Sequence, residues 1–145
     1  MPVEIRILGP GDEAVLARVA PEVFDNTVDA ALSTEFLHDA RHHIAVTVDD
    51  GIVVGFASAV HYVHPDKPPE LWINEVSVAP TYRNRGVGKR LLHALFGVGR
   101  EHRCGSAWVL TDRSNAPAMR LYTSVGGAEA PDDVVMYEFD IAEER

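Results

Sequence analysis

Two glycines separate a stretch with strand character from a stretch with helix character, and this junction constrains the fold more than any other feature of the chain. The run LWINEVSV, residues 71–78, reads as a buried strand. After Gly86 and Gly88, apolar residues recur at spacings of four, four and three, at Val87, Leu91, Leu95 and Val98. That spacing predicts an amphipathic helix ending near residue 103. A strand that turns through glycine into a helix predicts a layered fold of sheet and helices.

The rest of the chain alternates between strand and helix patterns. Strands are predicted at residues 3–8, 43–48, 52–63, 106–111 and 134–141, with an Asp-Gly hairpin turn between the second and the third. Helices are predicted after the turn GPGD, after a capping Ser33, and at residues 116–124, where Gly126 and Gly127 end the helix. The order of these elements predicts a mixed sheet with helices packed on it.

The size and composition of the chain fit one globular domain, residues 1–145. The chain is 46% hydrophobic and 24% charged, which is ordinary for such a domain. Its start carries no basic and apolar leader, and no run approaches the roughly 18 apolar residues of a membrane span. Cys104 is the only cysteine, so an intrachain disulfide is excluded. These features predict a cytoplasmic protein that does not act at a membrane.

Cations crowd around the glycine junction although the chain as a whole is acidic. The formal net charge is −9, yet Arg83, Arg85, Lys89 and Arg90 contribute +4 with no acid among residues 83–90, so the remainder sums to −13. An acidic remainder disfavours a nucleic acid partner and favours a cationic one, although it is also an ordinary route to solubility.

The glycine junction has the properties of an anion site. The first N–H groups of a helix have no partner within the helix, and together with the helix dipole they attract negative charge. Gly86 and Gly88 allow close approach of a ligand to the backbone. Arg83, Arg85 and Lys89 supply charge-assisted hydrogen bonds. The junction therefore predicts a site for two linked phosphates, with glycines that merely ease a tight turn as the alternative.

Other phosphate-binding patterns fit less well. The dinucleotide fingerprint G-x-G-x-x-G needs a third glycine where Leu91 stands, and Trp108 stands where an acid would hold the ribose. The phosphate-loop pattern needs Lys-Ser or Lys-Thr after the second glycine, and this chain has Lys89 followed by Arg90.

Two motifs resemble those of the GNAT superfamily of N-acetyltransferases. RNRGVG, residues 83–88, is similar to the Arg/Gln-x-x-Gly-x-Gly/Ala acyl-CoA loop of that family, and it follows the strand NEVSV. NAPAMRLYTSVGG resembles the family's Asn-x-x-Ala-x-x-Leu-Tyr-x-x-x-Gly helix, with matches at Asn115, Ala118, Leu121, Tyr122 and Gly126. The resemblance implies an α/β (α+β) fold in which a mixed, mostly antiparallel sheet is flanked by helices.

The resemblance also implies acetyl-CoA as cosubstrate. In this family the pyrophosphate lies on the loop amides, the pantetheine arm pairs with a splayed strand, and the Asn of the second motif reaches one of these arms. The residues that this implies around the cosubstrate are Val76, Ser77, Val78, Arg83, Asn84, Arg85, Gly86, Val87, Gly88, Lys89, Asn115, Ala118 and Tyr122.

Acetyl transfer to an amine needs a base, because an alkylamine with a pKa near 10.4 is almost fully protonated at pH 7. Glu75, at the end of the strand beside the acyl site, is the predicted base, with a salt bridge or a solvated acid as the alternative. The resemblance places Tyr122 where the family has the general acid that protonates the leaving thiolate, with a core tyrosine as the alternative. The backbone N–H of Val78 is the predicted oxyanion donor.

The seven histidines do not predict a metal site. The side chains of His42 and His43 diverge if the chain is extended there, and no histidine pairs with Cys or Asp at a metal-ligand spacing. His61 and His64 flank the predicted substrate side and are interpreted as surface histidines, with substrate contact as the alternative. We expect no metal.

Within the superfamily, the chain resembles the type I aminoglycoside 3-N-acetyltransferases. The similar stretches are EFLHDARHHIAV, VGFASAVHYVHPDKPPELWINEVSV, PAMRLYT and VMYEFDI. The resemblance implies acetylation of the 3-amino group of an aminoglycoside, and hence antibiotic resistance by modification. A cleft for such a polycation would be rimmed by acids, and the candidates are Asp29, Glu35, Glu70, Glu75, Asp112, Asp132 and Asp133.

Alternatives to this acceptor are a peptide, protein or polyamine amine, and a non-catalytic acyl-CoA sensor. The oligomeric state is also open, because the strand predicted at residues 134–141 can pair within the domain or across a homodimer.

Overall fold

The computed structural model describes residues 3–142. In chain order its elements are β1 (Glu4–Ile7), a 3-10 turn (Val15–Ala17), α1 (Ala30–His38), β2 (His42–Asp49), β3 (Ile52–Tyr62), β4 (Glu70–Val78), a second 3-10 turn (Pro80–Tyr82), α2 (Val87–Glu101), β5 (Ser106–Val109) and α3 (Ala116–Ser124). The mixed sheet with helices that the sequence predicted is confirmed. No helix within residues 3–142 is long and apolar enough to cross a membrane.

The strands form one sheet in the order β1-β2-β3-β4-β5. Pairing is antiparallel except between β4 and β5, which run parallel. The β2–β3 hairpin turns at Asp50 and Gly51, whose φ angles of 52° and 76° are those of a type I′ turn. The Asp-Gly turn predicted from sequence is therefore confirmed.

The sheet opens along the last part of β4. Parallel pairing with β5 ends where Ile73 lies opposite Val109. The register between β3 and β4 also shifts at this level, because Ser58 pairs with Glu75 while the next residue of β3 pairs with Ile73. Residues 74–78 thus continue beyond the end of β5, and a bulge bends the strand there.

Each face of the sheet carries its own apolar core. On one face, Leu91, Leu92 and Leu95 of α2 pack against β2, β3 and β4, where small alanines allow the helix to come close. On the other face, residues 8–37 cover the apolar side chains of β2 and β3. Phe24 stacks on Phe56 there, with ring centroids 4.0 Å apart.

The beginning of the chain differs from the sequence prediction. The run after GPGD forms only the short 3-10 turn rather than a helix. Helix α1 is capped by Asp29, whose carboxylate accepts a hydrogen bond from the backbone N–H of Leu32 at 2.8 Å, and not by Ser33. Ser33 is buried within the helix. Asp is as good an N-cap as Ser, so the cap position depends on where the preceding chain is held.

The closing strand predicted at residues 134–141 is wrong: the structure has no strand over that stretch. The stretch alternates and is rich in β-branched and aromatic residues, but a strand also requires a neighbour that satisfies its backbone hydrogen bonds. Its large apolar side chains are exposed, with Tyr137, Phe139 and Ile141 at 79%, 82% and 84%.

Candidate active site

The loop that leads into α2 has a left-handed backbone at two positions. Asn84 has a φ of 62°, and Gly86, the N-cap of α2, has a φ of 78°. A Cβ atom at Gly86 would meet nothing within 4 Å, so the backbone angle and not space explains this glycine. At Gly88 the reason is space, because a Cβ there would lie 3.1 Å from Cδ2 of Leu121 on α3. Gly88 thus allows α2 and α3 to approach closely.

The cations of this loop do not all point the same way. Arg83 donates from Nε to the backbone oxygen of Val78 at 3.0 Å, and the guanidinium of Arg85 lies 5.4 Å from the ring centroid of Tyr82. Arg90 turns towards the residue before β1, where it donates to the backbone oxygen of Val3 at 3.2 Å. Arg90 therefore ties the first strand to α2.

A cleft of about 640 Å³ lies between the open end of β4, the first turn of α2, and α3. Every residue predicted around the cosubstrate lines this cleft except Arg85. The first helical hydrogen bond of α2 runs from the N–H of Arg90 to the oxygen of Gly86 at 3.1 Å. The amides of residues 87–89, which precede it, have no acceptor within the helix. The helix terminus thus offers N–H groups and the positive end of its dipole to an anion.

The cleft is also lined by residues that were not assigned to the cosubstrate from the sequence, and they are Tyr82, Pro117, Arg120, Leu121 and Ser124. Arg120 adds a cation to the cleft wall. The second motif specifies Leu121 but none of the other four side chains. The only sign of Arg120 in the sequence was therefore that it lies within the stretch that carries this motif.

Tyr122 and Asn115 are both positioned by α3. Asn115 caps the helix, with Oδ1 accepting from the N–H of Ala118 at 3.2 Å, which leaves its side-chain amide as the group available to a ligand. Tyr122 is half-buried, and burial raises the pKa of its phenol above the usual 10.0. The phenol is therefore protonated at neutral pH, as a general acid must be.

Glu75 lies on the opened part of β4, paired with Ser58 of β3. Burial, and then the negative charge of Asp25, raise the pKa of its carboxyl above the usual 4.5. A raised pKa makes a carboxylate a stronger base. Asp25 belongs to the segment before α1. No sequence pattern in that segment indicated that one of its acids would affect the pKa of Glu75.

The acetyltransferase (GNAT) family matches residues 14–126 of this chain. The chain belongs to that family. Streptothricin acetyltransferase of Streptomyces lavendulae is 31% identical over 100 residues, which are 69% of this chain and 51% of that protein. This GNAT chain thus spans about half the length of that relative.

Other GNAT relatives are similar over comparable lengths. N-alpha-acetyltransferase RimI of Mycobacterium tuberculosis is 29% identical over 128 residues, which are 86% of this chain and 78% of that protein. Aminoglycoside N(6')-acetyltransferase type 1 of Salmonella typhimurium is 29% identical over 101 residues, which are 66% of this chain and 69% of that protein.

Solved structures share the GNAT fold of this chain. An aminoglycoside acetyltransferase from an uncultured soil metagenomic sample superposes with a TM-score of 0.80 at 22% identity, covering 97% of this chain and 99% of that one. Aminoglycoside N-acetyltransferase AAC(6')-Iy, solved in complex with CoA, gives a TM-score of 0.78 at 23% identity, covering 96% of this chain and 95% of that one.

A second cleft of about 620 Å³ lies in the segment that precedes and begins α1 of this GNAT chain. Its acids are Glu13, Glu22 and Asp25, and its apolar lining includes Phe24. Of the acids proposed from sequence for an acceptor cleft, none lines this one. The segment has little regular structure, so neither periodicity nor a motif could indicate which of its acids come together.

The face of the sheet that carries Glu75 also carries a pair of tryptophans. Side chains of directly paired residues point to the same face. Trp72 pairs with Trp108 across β4 and β5, and their rings stack with centroids 5.0 Å apart. Trp108 donates from Nε1 to the hydroxyl of Tyr62 at 2.9 Å, and Tyr62 donates to Glu70 at 3.2 Å. Trp72, Trp108 and Tyr62 therefore form an aromatic surface on the face of Glu75, and Glu70 lies at its far end.

The histidines considered from sequence take different positions. His64 lies beside this aromatic surface, with Nε2 2.8 Å from a carboxylate oxygen of Glu70. His61 pairs with Leu71, a residue of the core under α2. It therefore lies on the face opposite to Glu75, which removes it from that side of the sheet.

Proposed function

We propose that this chain is an acetyl-CoA-dependent N-acetyltransferase whose acceptor is an amine of an aminoglycoside. The observation that carries the proposal is the cleft beside β4, because one cavity combines the anion-binding terminus of α2 with Tyr122. Its volume, about 640 Å³, is in the usual range for cofactor sites.

The cosubstrate would lie with its pyrophosphate on the amides of residues 87–89 and its pantetheine arm along residues 76–78. Arg83, Lys89 and Arg120 line the same cleft and would neutralise the phosphates. The opened end of β4 provides backbone groups beyond the last pair with β5, so the arm can pair with the strand as another strand would.

Transfer would proceed by direct attack. The amine nitrogen attacks the thioester carbonyl carbon, its proton passes to Glu75 directly or through a water, and the carbon–sulfur bond breaks. The backbone N–H of Val78 would stabilise the oxyanion, and Tyr122 would protonate the leaving thiolate. No step in this sequence uses a metal ion.

The second cleft and the aromatic surface support a cationic acceptor. Asp25 raises the pKa of Glu75, so the negative charge of Asp25 acts on the proposed base. Ammonium groups of a polycation would be attracted by Glu13, Glu22 and Asp25, and the stacked Trp72 and Trp108 offer ring faces to cations or sugar rings. The relatives named above include aminoglycoside and streptothricin acetyltransferases.

We also propose which amino group of the aminoglycoside is acetylated. The sequence resemblance to type I 3-N-acetyltransferases favours the 3-amino group. The aminoglycoside relative and the neighbour solved with CoA are both 6'-acetyltransferases by name, so the 6'-amino group is the competing site.

A peptide amine is the second candidate acceptor. The similarity to N-alpha-acetyltransferase RimI extends over 86% of this chain. The acids of the second cleft would then hold a basic peptide, so the electrostatic argument does not separate this acceptor from an aminoglycoside, and only a comparison of substrates does.

The experiment measures release of free CoA thiol from acetyl-CoA with gentamicin-type and apramycin-type aminoglycosides, spermidine and a lysine peptide. The wild type is compared with Tyr122→Phe and, as a matched control, Tyr137→Phe, which alters an exposed tyrosine that lines neither cleft. We expect turnover on an aminoglycoside, a loss of roughly 10²- to 10⁴-fold in Tyr122→Phe as for removal of a general acid, and unchanged turnover in the control.

The other outcomes each contradict part of the proposal. Turnover on the peptide or on spermidine alone would refute the aminoglycoside acceptor, and tight acetyl-CoA binding without any turnover would refute the enzyme in favour of a sensor. NMR of an acetylated aminoglycoside then distinguishes the 3-amino from the 6'-amino product.

A further inference from the structure

Three histidines from separate elements meet on the α2 face of the sheet. His43 is on β2 and His61 is on β3. His102 is the C-cap of α2. His43 is 9% exposed, and it pairs with Ala59, a residue of the core under α2. His102 is exposed, so the cluster reaches from the edge of the core to the surface.

The three rings are close enough to share one ligand. Nε2 of His43 and Nδ1 of His61 are 2.8 Å apart. The ring of His102 stacks on His61 with centroids 4.3 Å apart and lies 5.0 Å from that of His43. One ring nitrogen from each histidine lies within 4.8 Å of the other two.

We propose that His43, His61 and His102 form a binding site for a divalent transition-metal ion that prefers imidazole ligands, with Zn²⁺ as the test ion. Three protein nitrogens and a water would complete a tetrahedral site. At a Zn–N distance of roughly 2.0–2.1 Å, neighbouring ligand nitrogens lie about 3.3 Å apart. Nε2 of His43 and Nδ1 of His61 are closer than this because they share a hydrogen bond. A change of tautomer moves the shared proton to the other nitrogen of its ring, and side-chain rotations, mainly of the exposed His102, then bring the three lone pairs together.

The position of the cluster suits a ligand that reaches it from solvent. His43 lies at the edge of the core under α2, whereas His102 is exposed at the end of the helix. An ion can therefore enter from the side of His102 and be held by the two histidines of the sheet.

The proposed metal site is remote from the acetyl chemistry. Helix α2 has 15 residues, and at about 1.5 Å per residue it spans roughly 22 Å between the phosphate-binding loop and His102. A metal would fix the end of α2 to β2 and β3, which is a stabilising role. The inference therefore does not rest on the proposed function.

Sequence reasoning missed this site because its ligands are 18 and 41 residues apart. Local metal motifs place ligands a few residues apart. Only the pairing of β2 with β3 and the packing of α2 on that face bring these side chains together. The expectation of no metal site, drawn from spacing alone, is therefore replaced by this proposal.

The test uses the full chain without a polyhistidine tag. Zn²⁺ binding is measured by titration calorimetry and by competition with a chromophoric chelator, and the midpoint of thermal unfolding is recorded with and without Zn²⁺. We expect one ion per chain and a higher midpoint with Zn²⁺. His102→Gln and His61→Gln should each weaken binding by about 100-fold or more, since loss of even an outer-shell partner costs about 10- to 100-fold.

His93→Gln is the matched control, because His93 is an exposed histidine of the same helix outside the cluster. It should bind Zn²⁺ as the wild type does. Acetyl transfer should be unaffected in His102→Gln. Wild-type binding weaker than about 0.1 mM, or equal binding by wild type and His102→Gln, would overturn the proposal.

Discussion

Partial removal from water acts on the two proposed catalytic side chains in the same direction but with different chemical consequences, although Glu75 is the more exposed of the two. It raises the pKa of both Tyr122 and Glu75. For the phenol, a raised pKa preserves the proton that an acid must donate. For the carboxyl, it strengthens the base at the cost of moving its titration closer to neutral pH. The environment thus separates the two roles, and Asp25 is the charged side chain that contributes to the shift in Glu75.

The pH dependence of turnover is expected to report on this environment. Because the base must be deprotonated, kcat should fall as pH decreases through the pKa of Glu75, at a pH above its ordinary 4.5. Asp25→Asn removes a negative charge, lowers that pKa and should move the acid limb of the kcat profile to lower pH. Glu75→Gln should abolish this limb and reduce kcat by roughly 10²- to 10⁴-fold.

Glu22→Gln serves as the control for Asp25→Asn. Glu22 lines the same cleft but does not contribute to the shift in Glu75. It should therefore leave the acid limb in place. An acid limb that shifts equally in both variants would refute a specific effect of Asp25.

At the scale of elements, the junction of β4 and α2 shows how local sequence produces a site. The strand stops at Val78, the chain passes through left-handed backbone at Asn84 and Gly86, and α2 begins with no acid in its first turn. The apolar stripe predicted from sequence is buried at Val87, Leu91, Leu95 and Val98. Packing of this stripe fixes the orientation of α2, and the amides of residues 87–89 therefore lie at the cleft.

Two glycine substitutions should have opposite effects on stability. Gly86→Ala places a side chain at a left-handed φ and should lower the free energy of unfolding by about 1 kcal/mol. Gly97→Ala lies in the interior of α2 with nothing within 4 Å of the new Cβ and should raise it by about 0.5–1 kcal/mol. Urea unfolding of both variants measures the difference.

Acetyl-CoA binding provides a second readout for the same pair. Gly86→Ala should also weaken binding because it disturbs the loop, whereas Gly97→Ala should leave it unchanged. Equal stability changes of the same sign in both variants would refute the argument from the backbone angle.

At the scale of the whole molecule, the divergence of β4 from β5 is the central feature. One face of the sheet carries α2 and the histidine cluster, the other carries residues 8–37 and the tryptophan pair, and the gap beyond Ile73 forms part of the cleft beside β4. The same molecule leaves β5 at one edge of its sheet and apolar side chains of residues 134–141 exposed.

We expect the chain to form a homodimer through that exposed stretch. So many exposed large apolar side chains within eight residues are unusual on a monomer, and the alternation of the stretch suits pairing with a sheet edge. Size-exclusion chromatography with light scattering should give twice the chain mass, and Phe139→Asp should shift the mass towards the monomer. A single monomeric species for the wild type at all concentrations would contradict this expectation.

Elements that depend on nearby residues could be predicted from the amino-acid sequence. The hairpin at Asp50 and Gly51 and the stripe of α2 follow from local backbone preferences and from periodicity. The family motifs then indicated most of the residues that line the cleft beside β4, because those residues lie in two short segments of the chain.

Features that depend on contacts between residues far apart in the sequence were set by the tertiary structure. It left residues 134–141 without a strand, joined Asp25 to the environment of Glu75, and assembled the three histidines. Electrostatic effects and ligand clusters depend on distance in space, which periodicity along the chain does not encode. A strand likewise exists only where a neighbour accepts its hydrogen bonds, and the fold alone provides that neighbour.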